Sequence, residues 1–104
     1  MSDTYVLDKN NNVIPEPNLI RWATWLESAD RKIARETIGD SDISTVFLGI
    51  DHSFGVGDPL LFETMVFGGQ FDDEQERCGT MAGAIKMHDL MCAKVRAQKN
   101  GRVI

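Results

Sequence analysis

Thr45-Val46-Phe47-Leu48-Gly49-Ile50 and Leu60-Leu61-Phe62-Glu63-Thr64-Met65-Val66-Phe67 decide the fold of this chain. Both runs are rich in β-branched and aromatic residues and are bounded by turn formers, which is the composition of strands. The connection His52-Ser53-Phe54-Gly55-Val56-Gly57-Asp58-Pro59 is short enough to close an antiparallel hairpin with an elaborate tip. Neither run alternates cleanly between apolar and polar residues, so the pattern predicts a hairpin buried on both faces.

On the N-terminal side, Pro15-Glu16-Pro17 suits the first turn of a helix, where a missing N–H is no loss. Leu19, Trp22, Leu26, Ala29 and Ile33 recur at helical spacing and form one apolar stripe, with Trp25 on its edge and Gly39 as the stop. Tryptophan on such a stripe reads as core; at the edge, Trp25 also remains a binding candidate. Before the helix, Tyr5-Val6-Leu7 and Val13-Ile14-Pro15 flank an Asn-rich turn and predict a small hairpin. Asp8, Asn10 and Asn12 imitate the start of an EF-hand loop, but Val13 stands at the glycine position and Leu19 at that of the bidentate glutamate.

On the C-terminal side, Gly68-Gly69 breaks the second strand and Glu76-Arg77-Cys78 offers a brief extra one. Thr80 can cap a final helix whose stripe is Met81, Ala84, Ile85, His88, Met91, Cys92 and Val95, ending near Asn100-Gly101. The expected fold is α+β: a small antiparallel sheet, made of the N-terminal hairpin, the central hairpin and the short extra strand, packed against two helices in one domain.

With 104 residues, 42% of them hydrophobic and 26% charged, the chain has the composition of one ordinary globular domain. Its first residues are polar and unlike a targeting signal, and its apolar runs fall short of the roughly 20 residues that span a bilayer, so a cytoplasmic location is expected. Cys78 and Cys92 lack the spacing of a metal or disulfide motif and read as free thiols, and no cofactor or metal is expected. The net charge of −5 is unevenly spread: ten acids and no Lys or Arg occupy Glu36 to Glu76, while six bases from Arg77 onward face only Asp89. An acidic centre repels phosphate, which disfavours direct nucleic-acid binding there.

Chemically capable residues gather around the hairpin tip: Asp51 and His52 leave the first strand, Phe54 and Asp58 occupy the connection, Glu63 lies within the second strand, and His88 sits on the last helix. A histidine beside a carboxylate can bind a divalent metal or act in general acid–base chemistry. Against an enzyme stands the lack of a His-x-x-x-His pair, a Gly-x-Ser-x-Gly elbow or a Cys/His constellation. Gly55-Val56-Gly57 lies between two strands, without the helix N-terminus that makes a phosphate cradle, and reads as a turn. Two readings stay open for Glu63, a solvent-facing edge position or a buried hydrogen-bonded one. His88, within an apolar stripe, reads as a satisfied core histidine that could pair with Glu63.

The stretch from Ser44 to Gly55, continued from Pro59-Leu60-Leu61-Phe62-Glu63-Thr64-Met65-Val66-Phe67-Gly68-Gly69, resembles a family of small uncharacterised bacteriophage and prophage proteins. The likeness extends to Trp22-Ala23-Thr24-Trp25, Thr80 and His88, with departures at Asp58 and Cys78. The resemblance implies a phage origin and no mechanism.

Two functions are carried forward. The first is a stoichiometric binding protein that inhibits a host protein, such as one of a defence system, with Trp25, Asp51, His52, Phe54, Asp58, Glu63 and His88 as binding candidates. The alternative is a small-molecule or metal site, a ligand sponge or minor hydrolase, around Asp51, His52, Glu63 and His88. A homodimer is also expected: two helices cover only one face of the hairpin, and Met87 and Leu90, beside the small Gly83, lie off the core stripe of the last helix.

Overall fold

The computed structural model describes residues 3–100, with side chains through residue 98. In chain order the elements are β1 (Tyr5–Leu7), β2 (Val13–Pro15), α1 (Leu19–Ser28), β3 (Lys32–Ile38), β4 (Ser41–Phe47), β5 (Phe62–Phe67), β6 (Gln75–Cys78) and α2 (Met81–Asn100). This is the α+β architecture expected, with its strands in two antiparallel sheets: the hairpin β1-β2 and a meander ordered β3-β4-β5-β6. Gly101, one end signal expected for the last helix, lies outside the described residues.

The small hairpin turns on Asp8, whose carboxylate accepts from the backbone N–H of Asn10 and Asn12, both at 2.8 Å, and from the Asn12 side chain. Those bonds favour the ionised form and hold the Asp8 carboxyl below its ordinary range, the Asn12 N–H contributing most. Asn11 takes the left-handed conformation the turn requires (φ 65°). Asn18 caps α1, accepting from the Arg21 N–H at 3.0 Å.

The first helix is shorter than its apolar spacing predicts, ending at Ser28 rather than at Gly39. Asp30 accepts the Lys32 N–H at 3.1 Å, a local turn that competes with helix continuation. The next residues then pair with β4 from Lys32↔Val46 to Ile38↔Ser41, and Gly39, at φ 58°, turns the chain between the two strands. Ile33 joins the core from a strand, and Ile38 is buried beneath α2 among Ile43, Val66, Met91, Cys92 and Val95. Tertiary pairing of a β-branched segment prevails here over a helical spacing that was also present.

Strands β4 and β5 pair antiparallel in continuous register from Asp42↔Phe67 to Phe47↔Phe62, as the central hairpin was expected to do. Their burial alternates: Ser41, Ile43, Thr45 and Phe47 are buried, as are Phe62, Thr64 and Val66, while the residues between them are half-buried or exposed. The expected burial of both faces is therefore corrected. Helix α2 covers one face, and the other carries Ser44, Val46, Met65 and Phe67 without a second layer among the described residues.

At one end of the sheet a second cluster joins Leu7, Phe47, Leu61, Phe62 and Ala84. The Phe47 and Phe62 rings lie 5.2 Å apart, and Trp25 meets Phe47 edge-on at 5.9 Å. Each of these two fully buried phenylalanines contributes about 1.5–3 kcal/mol of transfer free energy. The same packing draws α1 and the small hairpin against the end of the sheet. Gly49 (φ 80°) closes that junction: its carbonyl accepts the Trp22 indole N–H at 2.9 Å, and a Cβ there would stand 3.0 Å from Leu26 Cδ1.

Candidate functional site

The connection between β4 and β5, residues 48–61, is organised from Asp51. One carboxylate oxygen accepts the Ser53 N–H at 2.8 Å and the Leu60 N–H at 2.9 Å, and the other accepts the Ser53 hydroxyl at 2.9 Å. Donation from Leu60 and then Ser53 holds the Asp51 carboxyl below its ordinary range. His52 ties the base of the loop twice, its backbone N–H to the Leu60 carbonyl at 3.0 Å and its ring to the Ile50 carbonyl at 2.9 Å. A carbonyl can only accept, so Nδ1 of His52 carries the proton.

Above that clamp the backbone turns through left-handed conformations at Phe54 (φ 56°), Gly55 (φ 81°) and Gly57 (φ 77°). Glycine adopts them freely, whereas phenylalanine does not. The outcome is a projecting loop with Phe54 88% and Val56 80% exposed and with Asp58 exposed at its foot.

The other residues of the expected site do not join this loop. Glu63 lies on the uncovered face of β5, where it pairs across the strands with Arg77 at 2.9 Å. His88 lies under the opposite face, 5% exposed, with Nδ1 2.7 Å from the Thr45 hydroxyl. Glu63 and His88 thus do not pair, because successive residues of β5 point to opposite faces and the neighbour that reaches the His88 side is Thr64. The four-residue constellation of Asp51, His52, Glu63 and His88 is not assembled. Trp25, half-buried against Phe47, belongs mainly to the core.

Of the final-helix residues assigned to a dimer contact, Leu90 is 62% exposed, whereas Met87 packs against the core cluster of Phe47 and Phe62. A Cβ on Gly83 would stand 3.0 Å from the Thr80 hydroxyl and 3.4 Å from Cys78 Sγ, so its small size serves contacts within the chain. All three line a groove of about 420 Å³ between β6 and α2.

Sequence reasoning missed a polar line through the core. Thr45 and Thr64 are cross-strand partners on the buried face, with hydroxyl oxygens 2.5 Å apart, and Thr45 continues to His88. One turn further along α2, Cys92 comes beside His88, and Glu36 of β3 reaches the same place: a ring nitrogen, the thiol sulfur and a carboxylate oxygen lie within 4.8 Å of one another. Burial pushes the His88 pKa down, partly opposed by Asp89, and pushes the Cys92 thiol up, with Asp89 adding to the rise. The spacing of His88 and Cys92 was visible in the sequence; Glu36 was hidden by its placement on a helix.

Comparison with protein-family models, with curated proteins and with solved structures finds no match for this chain. No helix among the described residues is long and apolar enough to cross a membrane.

Proposed function

We propose that this chain is a stoichiometric protein-binding module whose contact is the Phe54 loop. The observation that carries the reading is Phe54 itself: a large ring held out in water at a positive φ, on a loop already fixed by Asp51. Preorganisation lowers the entropy lost on association, and an aromatic anchor entering a pocket is the usual source of a binding hot spot. Asp51 and His52 spend hydrogen bonds on the loop's own backbone, which favours a surface that docks over one that reacts. Acids without an intervening Lys or Arg from Glu36 to Glu76 favour a partner with a basic rim. The resemblance to phage proteins makes a host protein, inhibited by occupancy, the expected partner.

The test begins with affinity capture from host lysate and proceeds to dissociation constants for the captured protein. Phe54→Ala weakens the complex by about 2 kcal/mol or more, roughly 30-fold, and leaves the fold intact because the ring contributes little to the core. Leu90→Glu leaves that affinity unchanged. Equal affinity of wild type, Phe54→Ala and Val56→Ala would remove the loop from the interface and the reading with it. Self-association through Leu90 is checked by light scattering on the same samples: a mass near 11.6 kDa marks a monomer.

A further inference from the structure

Glu36, His88 and Cys92 form a group distinct from the Phe54 loop, drawn from two elements that the sequence separates widely. His88 and Cys92 stand four residues apart on α2, which places them one above the other on a single helix face. Both are more than nine-tenths buried, at 5% and 2% exposure, while the Glu36 side chain keeps 40% of its surface. The cluster is therefore closed on the helix side and open at the carboxylate.

We propose that Glu36, His88 and Cys92 form a binding site for a single borderline-soft divalent cation of the zinc class. Thiolate, imidazole and carboxylate are the three donor types that zinc takes in protein sites, and three protein ligands leave a fourth position for water or another ligand. Zinc bonds of the usual length place tetrahedral donors about 3.5 Å apart. The three donor atoms already lie within 4.8 Å of one another, and the Glu36 side chain, long and half-exposed, is free to rotate toward the two donors on α2.

Three further features of the surroundings suit a cation. The Thr45 hydroxyl engages His88 Nδ1, the kind of outer contact that orients a metal-binding imidazole and leaves the other ring nitrogen to coordinate. Charge balances, since one carboxylate and one thiolate neutralise a dication two of whose donors, His88 and Cys92, are buried. The Asp89 carboxylate adds to the negative potential felt by both His88 and Cys92. Binding converts the Cys92 thiol to a metal thiolate with release of its proton, so the step needs no oxidant or reductant. Glu36 now pairs with Arg96, and the cation takes over that carboxylate as the half-exposed guanidinium turns to solvent.

Titration of the purified, chelator-treated chain with Co²⁺ and then Zn²⁺ tests the site. The expected result is one Co²⁺ per chain with a thiolate-to-cobalt absorption band that Zn²⁺ displaces. The band survives Cys78→Ser and is lost in Cys92→Ser, whose fold is checked by circular dichroism. Glu36→Gln, at a half-exposed position that the fold tolerates, weakens affinity at least about tenfold, and Arg96→Gln strengthens it several-fold. No band in the wild type, a band removed by Cys78→Ser instead of Cys92→Ser, or unchanged affinity in Glu36→Gln would each overturn the proposal. The last result decides the matter even where Cys92→Ser does not fold.

Discussion

Thr45 of β4 and Thr64 of β5 face one another across the ladder on the buried side of the sheet, with hydroxyl oxygens 2.5 Å apart. Beyond Thr45 stands His88 Nδ1, and among the described residues no buried side-chain polar atom is left without a partner. The core between sheet and helix is thus held in part by a satisfied polar line, which is costly to interrupt and cheap to replace as a whole.

Thr45→Val keeps the volume but removes the middle member of that line. Stability falls by about 1–3 kcal/mol, because the Thr64 hydroxyl and the His88 ring lose a partner inside the core. Replacing all three, with Thr45→Val, Thr64→Val and His88→Leu, recovers most of that loss. Urea denaturation of the single and triple variants measures it. A triple variant that lost the sum of the three single effects would mean the residues act independently.

Gly68 and Gly55 both adopt left-handed conformations, at φ 86° and 81°. A Cβ at Gly55 meets open space, whereas one at Gly68 collides with the Asp40 carbonyl of the neighbouring turn. Gly55→Ala therefore costs only the conformational term, about 1–2 kcal/mol. Gly68→Ala costs more, and thermal melts of the two variants should rank them in that order.

Asp51 makes the Phe54 loop sensitive to acid. Its folded carboxyl titrates below the ordinary aspartate value, so on acidification the unfolded form takes up a proton first. The order that Asp51 contributes is complete above the ordinary value and is lost as pH falls through the lower folded one. The protection of the Ser53 and Leu60 amides, taken relative to the intrinsic exchange rate at each pH, should fall over that interval. In Asp51→Asn the same amides exchange faster at neutral pH, since the amide replaces the charge that draws both N–H groups, and affinity for the partner falls with them.

Glu63 and His88 occupy opposite faces of one sheet, which a double-mutant cycle can read directly. Glu63→Gln alone costs about 1–3 kcal/mol, the scale of a half-buried hydrogen bond to a charged group. Its coupling to Arg77→Gln is measurable, whereas its coupling to His88→Gln lies within error. A sizeable coupling with His88 would contradict the separation of the two faces.

By itself the sequence determined the strand-forming character of 45–47 and 62–67, though not that the first strand starts at Ser41 or that 48–50 and 60–61 belong to the connection, along with the small hairpin around the Asn-rich turn, the brief strand at Glu76-Arg77-Cys78 and the final helix with its Thr80 cap. These are local properties, set by β-branched content, turn residues and one sustained helical stripe. Tertiary structure decided the rest. Residues 32–38 carry part of a helical spacing, yet they pair with β4 because that buries Ile38 and closes a hairpin on Gly39. The buried side of the sheet includes Ser41, Thr45 and Thr64, while Val46, Met65 and Phe67 stand on the uncovered side. Polarity along the strands therefore hides an alternation that burial follows closely. Partners reached only through the fold explain it: each buried hydroxyl is matched by another polar group, which no reading of a single strand can supply. For the same reason Glu63 went to Arg77, His88 went to Thr45, and Glu36 and Cys92, far apart in the chain, came to share one place beneath the sheet.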